Sequence, residues 1–301
     1  MYSGTTIRRG SGKIIGTHQK IDRVARRKLQ AYLPSGAHFP TSREIIKFEG
    51  LNGPDGIKKK SPARDEPWHY IDPTNPDDRQ ILTLIQGHEN NLIAALKNQN
   101  RERAAFEAAW LAHALTDGLT PAHHYPYAQK MEEIRGEDLT TRTSFAKKVV
   151  MPGKNMREKI VNNWEYWNPR DGLLTAHGFF EFGVAWMTAP LRFREVKLSR
   201  RERLNIQRAG GIVPLYLDIV KKIYRLHLYD EFLKTSWTSR LARKIKNQLM
   251  PEIIHTVLMS WYYCAWKASE KSLPAENSAA EKSRGGEKIS TIDAEKKSWR
   301  G

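Results

Sequence analysis

The amino-acid sequence predicts an all-α protein in which one compact multi-helix domain occupies most of the chain. Apolar residues recur with helical spacing in segment after segment, whereas no segment shows the alternation of a half-buried strand or an internal repeat. Of the 301 residues, 40% are hydrophobic and nine are Trp, which is enough for a sizeable core. We expect the helical domain at residues 17–267, with a loose arm at 1–16 and a disordered polar tail at 268–301.

Cysteine content and charge limit the chemistry of the chain. The single Cys264 excludes an internal disulfide and a thiolate zinc site, so a bound metal would need His, Asp and Glu ligands. The net charge of +17 suits nucleic acid, anionic lipid headgroups or phosphorylated substrates without choosing among them. No stretch is long and apolar enough to span a membrane, and residues 1–13 lack the apolar centre of a secretory signal. A cytoplasmic location is therefore the default expectation.

The first predicted helix begins with a candidate ligand. Thr17 is suited to an N-cap, and Ile21, Val24 and Leu29 then mark one apolar face. His18 lies in the first turn of this helix. Taken alone, His18 is better explained as a polar side chain beside a helix start than as a ligand.

Two further candidate ligands lie in consecutive loops. Asp55 belongs to a Pro-Asp-Gly turn in the loop predicted at 49–56, and His69 follows the next, charged loop. Asp65 and Asp72 are alternatives for the carboxylate role. These two residues are candidates only if other ligand residues lie near them, because Pro-Asp-Gly is also a common turn sequence.

The helix predicted at residues 101–117 carries the clearest candidate site. His113 and Asp117 are four residues apart, so their side chains share one face of the helix. Gly118 helps to end this helix, and the following turn can return His123 toward the same face. Two imidazoles and a carboxylate are ligand types that zinc binds. The broad apolar face of the helix indicates that His113 is buried, and a buried His needs a partner such as a metal.

A second His–carboxylate pair lies in the almost wholly apolar segment 173–186, which is also predicted to be helical. His177 and Glu181 are again four residues apart on one face. A carboxylate within an apolar helix is costly unless it is paired or bound to a metal, so a buried His–Glu hydrogen bond and a metal site both explain this pair. Further helices are predicted at 198–206, 212–226, 229–249 and 253–266.

The order of these candidates resembles the ligand order of the zinc-dependent phospholipase C family, whose fold is shared by the single-strand-specific zinc nucleases. The match covers about the first 185 residues and consists of His18, Asp55, His69, His113, Asp117, His123, His177 and Glu181. The gap of 54 residues between His123 and His177 is longer than is usual in the family. We therefore interpret residues 132–171 as an insertion beside the site.

The resemblance implies a cluster of two or three zinc ions. One ion would be bound by Asp55, His69, His113 and Asp117, and a second by His123, His177 and Glu181. A third would use His18 and Asp117, and in the family it is completed by the amino group and carbonyl oxygen of the mature N-terminal residue. Because seventeen residues precede His18, the sequence leaves the third ion open.

By the same resemblance, the chain would be a zinc-dependent phosphodiester hydrolase acting on a phospholipid or a related phosphodiester. Clustered zinc ions bind the phosphodiester and activate water, and Asp55 could orient or deprotonate that water. Gly56 and Glu66 stand where the family carries choline-recognising aromatic residues, so the headgroup is open. Family members are mostly secreted. The alternatives are a zinc nuclease of the same fold, favoured by the positive charge, and a non-catalytic polyanion-binding protein with a structural metal.

Overall fold

Helices form all the regular secondary structure in the part of the chain that the structure describes, residues 1–4, 16–62, 68–169 and 171–270, so the all-α prediction is confirmed. The structure is a computed structural model. In chain order, the helices are α1 Thr17–Leu29, α2 Ser42–Ile46, α3 Pro54–Lys60, α4 Gln80–Lys97, α5 Arg101–Gly118, α6 Tyr127–Arg135, α7 Phe145–Val149, α8 Met156–Trp167, α9 Leu173–Thr188, α10 Arg200–Ala209, α11 Val213–Tyr224, α12 Leu228–Thr235, α13 Ser239–Lys244 and α14 Met250–Ser269. Short 3₁₀ turns include Gly50–Asn52 and Pro121–His123, and Ile245–Leu249 is π-helical.

Helix α14 reaches two residues into the segment predicted as a polar tail, 268–301, and ends at Ser269. Residues 271–301 lie outside the described residues. None of the helices in the described ranges combines the length and the apolar character needed to cross a membrane.

Helix α5 forms the centre of the fold. Thirteen of its 18 residues are buried, and it packs against α1, α2, α4 and α14. Small Ala side chains on α5 let these neighbours approach closely, and the buried indole of Trp261 donates its N–H to the carbonyl oxygen of Ala108 at 3.1 Å. Because the predicted ligand pair lies at the end of α5, the packing of the core also positions the candidate site.

Three features of the helices differ from the sequence prediction, and each has a local cause. The loop expected at 49–56 contains a 3₁₀ turn and the start of α3, where Pro54 occupies a position suited to proline. The helix expected at 229–249 is interrupted after α12, because Ser236 has a φ of 57°. Pro251, expected to separate two helices, lies in the first turn of α14 directly after the π-helical segment, where the regular hydrogen-bond pattern already changes.

The first four residues differ from the loose arm expected at 1–16. Met1 and Ser3 are buried, and the backbone N–H of Thr17 donates to the carbonyl oxygen of Tyr2 at 2.7 Å. Residues 5–15 lie outside the described residues. The start of α1 therefore supplies the polar partners that hold the first residues against the domain.

Glu89 is a buried carboxyl on α4, outside the candidate site. It accepts hydrogen bonds from the backbone N–H of Ile212 and the hydroxyl of Ser260, both at 3.2 Å. Burial raises the pKa of Glu89 to about 7, and these two hydrogen bonds oppose the shift only in part. The pKa of this carboxyl is therefore higher in the folded protein than in the unfolded chain, so its ionisation lowers stability.

Replacing Glu89 by Gln should make stability less dependent on pH. In the wild type the free energy of unfolding should fall as the pH rises from about 4.5 through about 7, by about 3 kcal/mol once the carboxyl is fully ionised. Urea unfolding at about pH 5 and about pH 8 would measure most of this loss, which should be about 2.5 kcal/mol smaller in Glu89→Gln. Equal losses in the two proteins would contradict the prediction, and Glu102→Gln on the exposed side of α5 is the control.

Candidate metal centre

Helices from distant parts of the chain bring all eight predicted residues to one place. They come from the first turn of α1 (His18), the first turn of α3 (Asp55), the segment before α4 (His69), the end of α5 (His113 and Asp117), the turn after it (His123) and the middle of α9 (His177 and Glu181). Candidate ligand atoms form three groups within which all lie within 4.8 Å of one another: His18, His113 and Asp117; Asp55, His69 and His113; His123, His177 and Glu181. Each group could hold a metal ion.

Asp55 is positioned by the tight turn that precedes α3. A Cβ atom added to Gly56 would lie 2.1 Å from the carbonyl oxygen of Leu51, so this close approach of the backbone requires glycine. The turn places Asp55 Oδ1 3.8 Å from His113 Nε2. With 24% of its side chain exposed, Asp55 is the most accessible member of the set.

The Asp117 carboxylate lies at the centre of the cluster. Its Oδ2 atom is 2.9 Å from His69 Nδ1 and 3.2 Å from His113 Nε2. Its Oδ1 atom is 3.3 Å from His18 Nε2 and 2.9 Å from the amino nitrogen of Met1. Because its two oxygens face different nitrogen atoms, this carboxylate could bridge two metal ions.

Glu181 lies close to three nitrogen atoms on the α9 side of the cluster. Its Oε1 atom lies 3.0 Å from His123 Nε2, 3.2 Å from His177 Nε2 and 3.0 Å from the Met1 amino nitrogen. The rings of His123 and His177 are nearly parallel, with their centroids 5.2 Å apart. Both imidazoles therefore present Nε2 to the same carboxylate oxygen.

The protonation of His123 shows why this group fits a cation. Burial lowers the pKa of His123 to about 3, so the ring is neutral and carries one N–H. Nδ1 is 3.1 Å from the carbonyl oxygen of His69, which can only accept, so the N–H is on Nδ1. The Nε2 lone pair then faces the Glu181 carboxylate at 3.0 Å, another acceptor. A metal ion between them would resolve this conflict, since two ligand atoms of a tetrahedral ion lie roughly 3.3 Å apart.

His113 has a similar arrangement and a partner that sequence analysis missed. Its Nδ1 atom lies 3.2 Å from Glu49 Oε2 and donates to this buried carboxylate. Its Nε2 atom faces Asp117 and Asp55 but makes no hydrogen bond among the described residues. A carboxylate behind a ligand histidine fixes the tautomer and increases the basicity of the nitrogen that binds the metal. The Glu49–His113 pair therefore fits a metal site.

Opposite charges keep the buried carboxylates ionised. Burial opposes ionisation, but the Met1 amino group and neighbouring histidines hold the pKa values of Asp117 and Glu181 well below the usual range. Burial likewise opposes protonation of His113, but Asp117 and Glu49 outweigh it and hold the pKa of His113 well above its usual value. Without a metal, a proton on His113 thus supplies positive charge that a metal ion could supply instead.

Removing the carboxylate of Glu49 should weaken metal binding. Outer partners of ligand histidines typically contribute about 10- to 100-fold in metal affinity, so Glu49→Ala should raise the dissociation constant by about that factor, and Glu49→Gln by less. Competition with a chromophoric chelator would measure the constant. Glu102→Ala, at an exposed position of the helix that bears His113, should leave it unchanged. If the dissociation constant of the metal were unchanged in Glu49→Ala, Glu49 would have no role in metal binding.

The remaining candidate carboxylates do not enlarge the site. Asp72 is exposed and accepts the backbone N–H of Thr74 at 2.8 Å, as in a local turn. Asp65 lies outside the described residues. The contact between Glu49 and His113 joins positions 64 residues apart, so no local sequence signal could have indicated it.

Comparison of the chain with protein-family models, with curated proteins and with solved structures gave no match. A functional assignment therefore depends on the chemistry and geometry of the site itself.

Proposed function

We propose that the chain is a zinc-dependent phosphodiester hydrolase of the phospholipase C type. The observation that carries the proposal is the convergence of eight residues, selected by their types, order and spacing in the sequence, on one largely buried cluster. Donor groups made of imidazole and carboxylate suit zinc, and neighbouring zinc ions suit the charged oxygens of a phosphodiester.

The residues of the cluster have separate tasks in this proposal. Zinc, when bound, would lower the pKa of a water ligand and neutralise charge on the phosphodiester. Asp117 would fix the spacing between ions, because its oxygens face different histidines. Burial raises the pKa of Asp55, but His113 and other histidines outweigh it and hold the pKa below its usual value. The partly exposed, ionised Asp55 would orient the attacking water and accept its proton, giving an alcohol and a phosphomonoester.

The position of Met1 supports a third ion. Its amino nitrogen lies between Asp117 and Glu181, and its carbonyl oxygen is 2.9 Å from His18 Nε2. These are the two kinds of group that complete the third zinc site in the family. Burial lowers the pKa of this amino group, but the nearby carboxylates outweigh it and raise the pKa to about 10, so in the metal-free chain an ammonium occupies the position where the amine would bind zinc.

Adding residues before Met1 should remove one zinc ion per chain. An amide nitrogen in place of the amino group would not bind zinc, and Met1 is only 2% exposed, which leaves little room for added residues. Elemental analysis of proteins with N-termini verified by mass spectrometry would give the zinc content. The same short Gly-Ser segment placed after Gly301 is the matched control. Equal zinc contents in the two extended proteins would exclude a ligand role for Met1.

Measuring zinc content and turnover together tests the proposed function. The purified chain should hold two or three zinc ions and release phosphomonoester from phospholipid in detergent micelles. Chelation should stop this reaction, and added zinc should restore it. A chain that binds no metal when zinc is supplied would overturn the proposal. Bound zinc without hydrolysis of any phosphodiester would instead favour a structural metal in a polyanion-binding protein.

A basic cleft favours one alternative, a zinc nuclease on the same fold. The cleft has a volume of about 830 Å³ and is lined by six cationic side chains and no carboxylate: Lys20, Arg23, Arg27, Lys28, Arg192 and Arg194. Burial, and then the charges of Arg23 and Arg27, lower the pKa of Lys20, so like charges are crowded here. Such a row of cations suits a nucleic-acid backbone. Zinc-dependent cleavage of single-stranded DNA or RNA, without action on phospholipid, would select this alternative.

A further inference from the structure

Most of the exposed large apolar side chains lie in one short part of the chain. Of the eleven such side chains among the described residues, seven lie between Phe145 and Trp167, in the segment interpreted as an insertion. Met156, Ile160 and Trp164 are 72%, 65% and 62% exposed. Isolated exposed apolar residues are ordinary, but a concentration of this kind marks an interaction surface.

The exposed residues of α8 form one stripe. At about 100° per residue, Met156, Ile160, Trp164 and Trp167 fall within a sector of about 80°. We call these four residues the α8 apolar face. Tyr166 projects to another side of the helix and is buried. Helix α8 is therefore amphipathic with its apolar stripe directed to solvent, the reverse of a helix whose only task is to cover a core.

Contacts with the preceding segment and with α6 hold α8 in place. Asn163 exchanges hydrogen bonds with the backbone N–H and carbonyl of Met151 at 3.0 and 2.8 Å, and the indole of Trp167 donates to the carbonyl oxygen of Val149 at 2.7 Å. The hydroxyl of Tyr127 donates to that of Tyr166 at 3.3 Å. The exposed stripe is thus a fixed part of the fold.

The same contacts join α8 to the metal centre. The Tyr127 ring that contacts Tyr166 lies 5.0 Å, centroid to centroid, from the ring of His177. Helix α8 also packs directly against α9, which carries His177 and Glu181. A partner bound to the α8 apolar face would therefore contact a helix that packs directly against α9, the helix that carries two of the candidate ligands.

Charge around the stripe indicates the kind of partner. Of the six basic side chains in residues 139–167, Arg142 and Lys148 are buried and the other four are exposed. With the two acidic side chains of this range, Glu158 and Glu165, the net charge near the stripe is +2. Arg157 and Lys154 are exposed near the stripe. A symmetric dimer formed through this face would bring the cations of both copies into one interface and so concentrate like charge there. Exposed Trp and aliphatic side chains with neighbouring cations instead suit the headgroup region of an anionic bilayer.

We propose that the α8 apolar face is a docking surface for bilayers rich in anionic phospholipid. The apolar stripe enters the boundary between headgroups and acyl chains, and the adjacent Lys and Arg side chains contact the lipid phosphates. Docking requires no hydrolysis, so it goes beyond the proposed activity. It would place the cluster at the surface where phospholipid is found.

Cosedimentation of the full chain with sucrose-loaded vesicles tests the proposal. Vesicles of phosphatidylcholine with about one third phosphatidylserine should bind the protein, and high salt should weaken this binding. Ile160→Ser/Trp164→Ser should weaken it by about tenfold or more. The matched control, Leu204→Ser/Leu233→Ser, removes exposed apolar surface from α10 and α12 and should bind as the wild type does. Lys154→Glu/Arg157→Glu should bind the vesicles that contain phosphatidylserine more weakly than the wild type does. Its binding to vesicles of phosphatidylcholine alone should equal that of the wild type.

Binding and hydrolysis are scored separately so that the two proposals can fail independently. Hydrolysis of soluble bis(4-nitrophenyl) phosphate should be unchanged in Ile160→Ser/Trp164→Ser. No vesicle binding by the wild type, or equal binding by the double variant, would overturn membrane docking alone. Light scattering that shows a wild-type dimer and a monomeric double variant would overturn it in favour of an interface between copies. Vesicle binding without hydrolysis would overturn the proposed activity alone.

Discussion

Asp117→Asn is expected to lose metal and activity together. The Asp117 carboxylate faces His18, His69 and His113, and an amide there removes the charge that would hold two ions at once. Loss of an outer partner of a ligand costs about 10- to 100-fold in metal affinity, so loss of a shared ligand should cost more. We expect one zinc ion or fewer per chain and a fall in kcat/KM of at least about a thousandfold.

Elemental analysis and phosphodiester assays on the same preparation would check this result. Asp218→Asn, which changes an exposed carboxylate on α11, is the matched control and should retain both properties. Circular dichroism would establish that the variant is folded. An Asp117→Asn protein with its full zinc content and activity would refute the arrangement proposed for the centre.

Removing the metal from the wild type should lower its thermal stability substantially. When the free zinc concentration is about 100 times the dissociation constant, each bound ion contributes about 2.7 kcal/mol, so two ions contribute about 5 kcal/mol. For a domain of this size, about 1 kcal/mol shifts Tm by roughly 2–4 °C, which predicts a fall of about 10–20 °C on chelation. The physical cause is that the ions bind only the folded chain, whereas in the metal-free protein the buried Asp117 and Glu181 are balanced only by the Met1 ammonium and protonated histidine.

Differential scanning calorimetry with and without dipicolinate would measure the shift, and added zinc should reverse it. The chelator should lower the Tm of Asp117→Asn by at most about half as much, because that variant is expected to hold no more than one zinc ion. If the wild-type Tm were the same with and without chelator, the cluster would not be a metal site that contributes to folding stability.

Helical periodicity was sufficient to predict the parts of the site that lie within single helices. His113 and Asp117 share a face of α5, and His177 and Glu181 share a face of α9, because in each pair four residues make about one turn. The all-α class followed from the same periodicity. Sequence order then linked these pairs to Asp55, although the helix that carries Asp55 was not predicted.

The features that sequence analysis missed depend on contacts between distant segments. Glu49 meets His113 only because the short turn before α3 packs against α5. Met1 meets Asp117 across 116 residues. The resemblance implied an N-terminal amino group at a third site with Asp117, but the seventeen residues before His18 left that site open. The helix breaks at Ser236 because the φ angle of this residue is positive. The surrounding residues favour a helix, so the sequence pattern does not indicate the break. Local propensity yields helices and faces, whereas tertiary packing decides which faces meet.

The positions of the candidate ligands along the sequence determine the order in which they become available during synthesis. Six of the eight residues lie between His18 and His123, and the last two follow 54 residues later on α9. A nascent chain that has emerged only as far as α8 offers an incomplete set of donors, with Asp117 lacking the companion carboxylate of Glu181. The complete donor set exists only after the ribosome has released α9 and that helix has packed, so firm metal capture would mark a late step in the maturation of this domain.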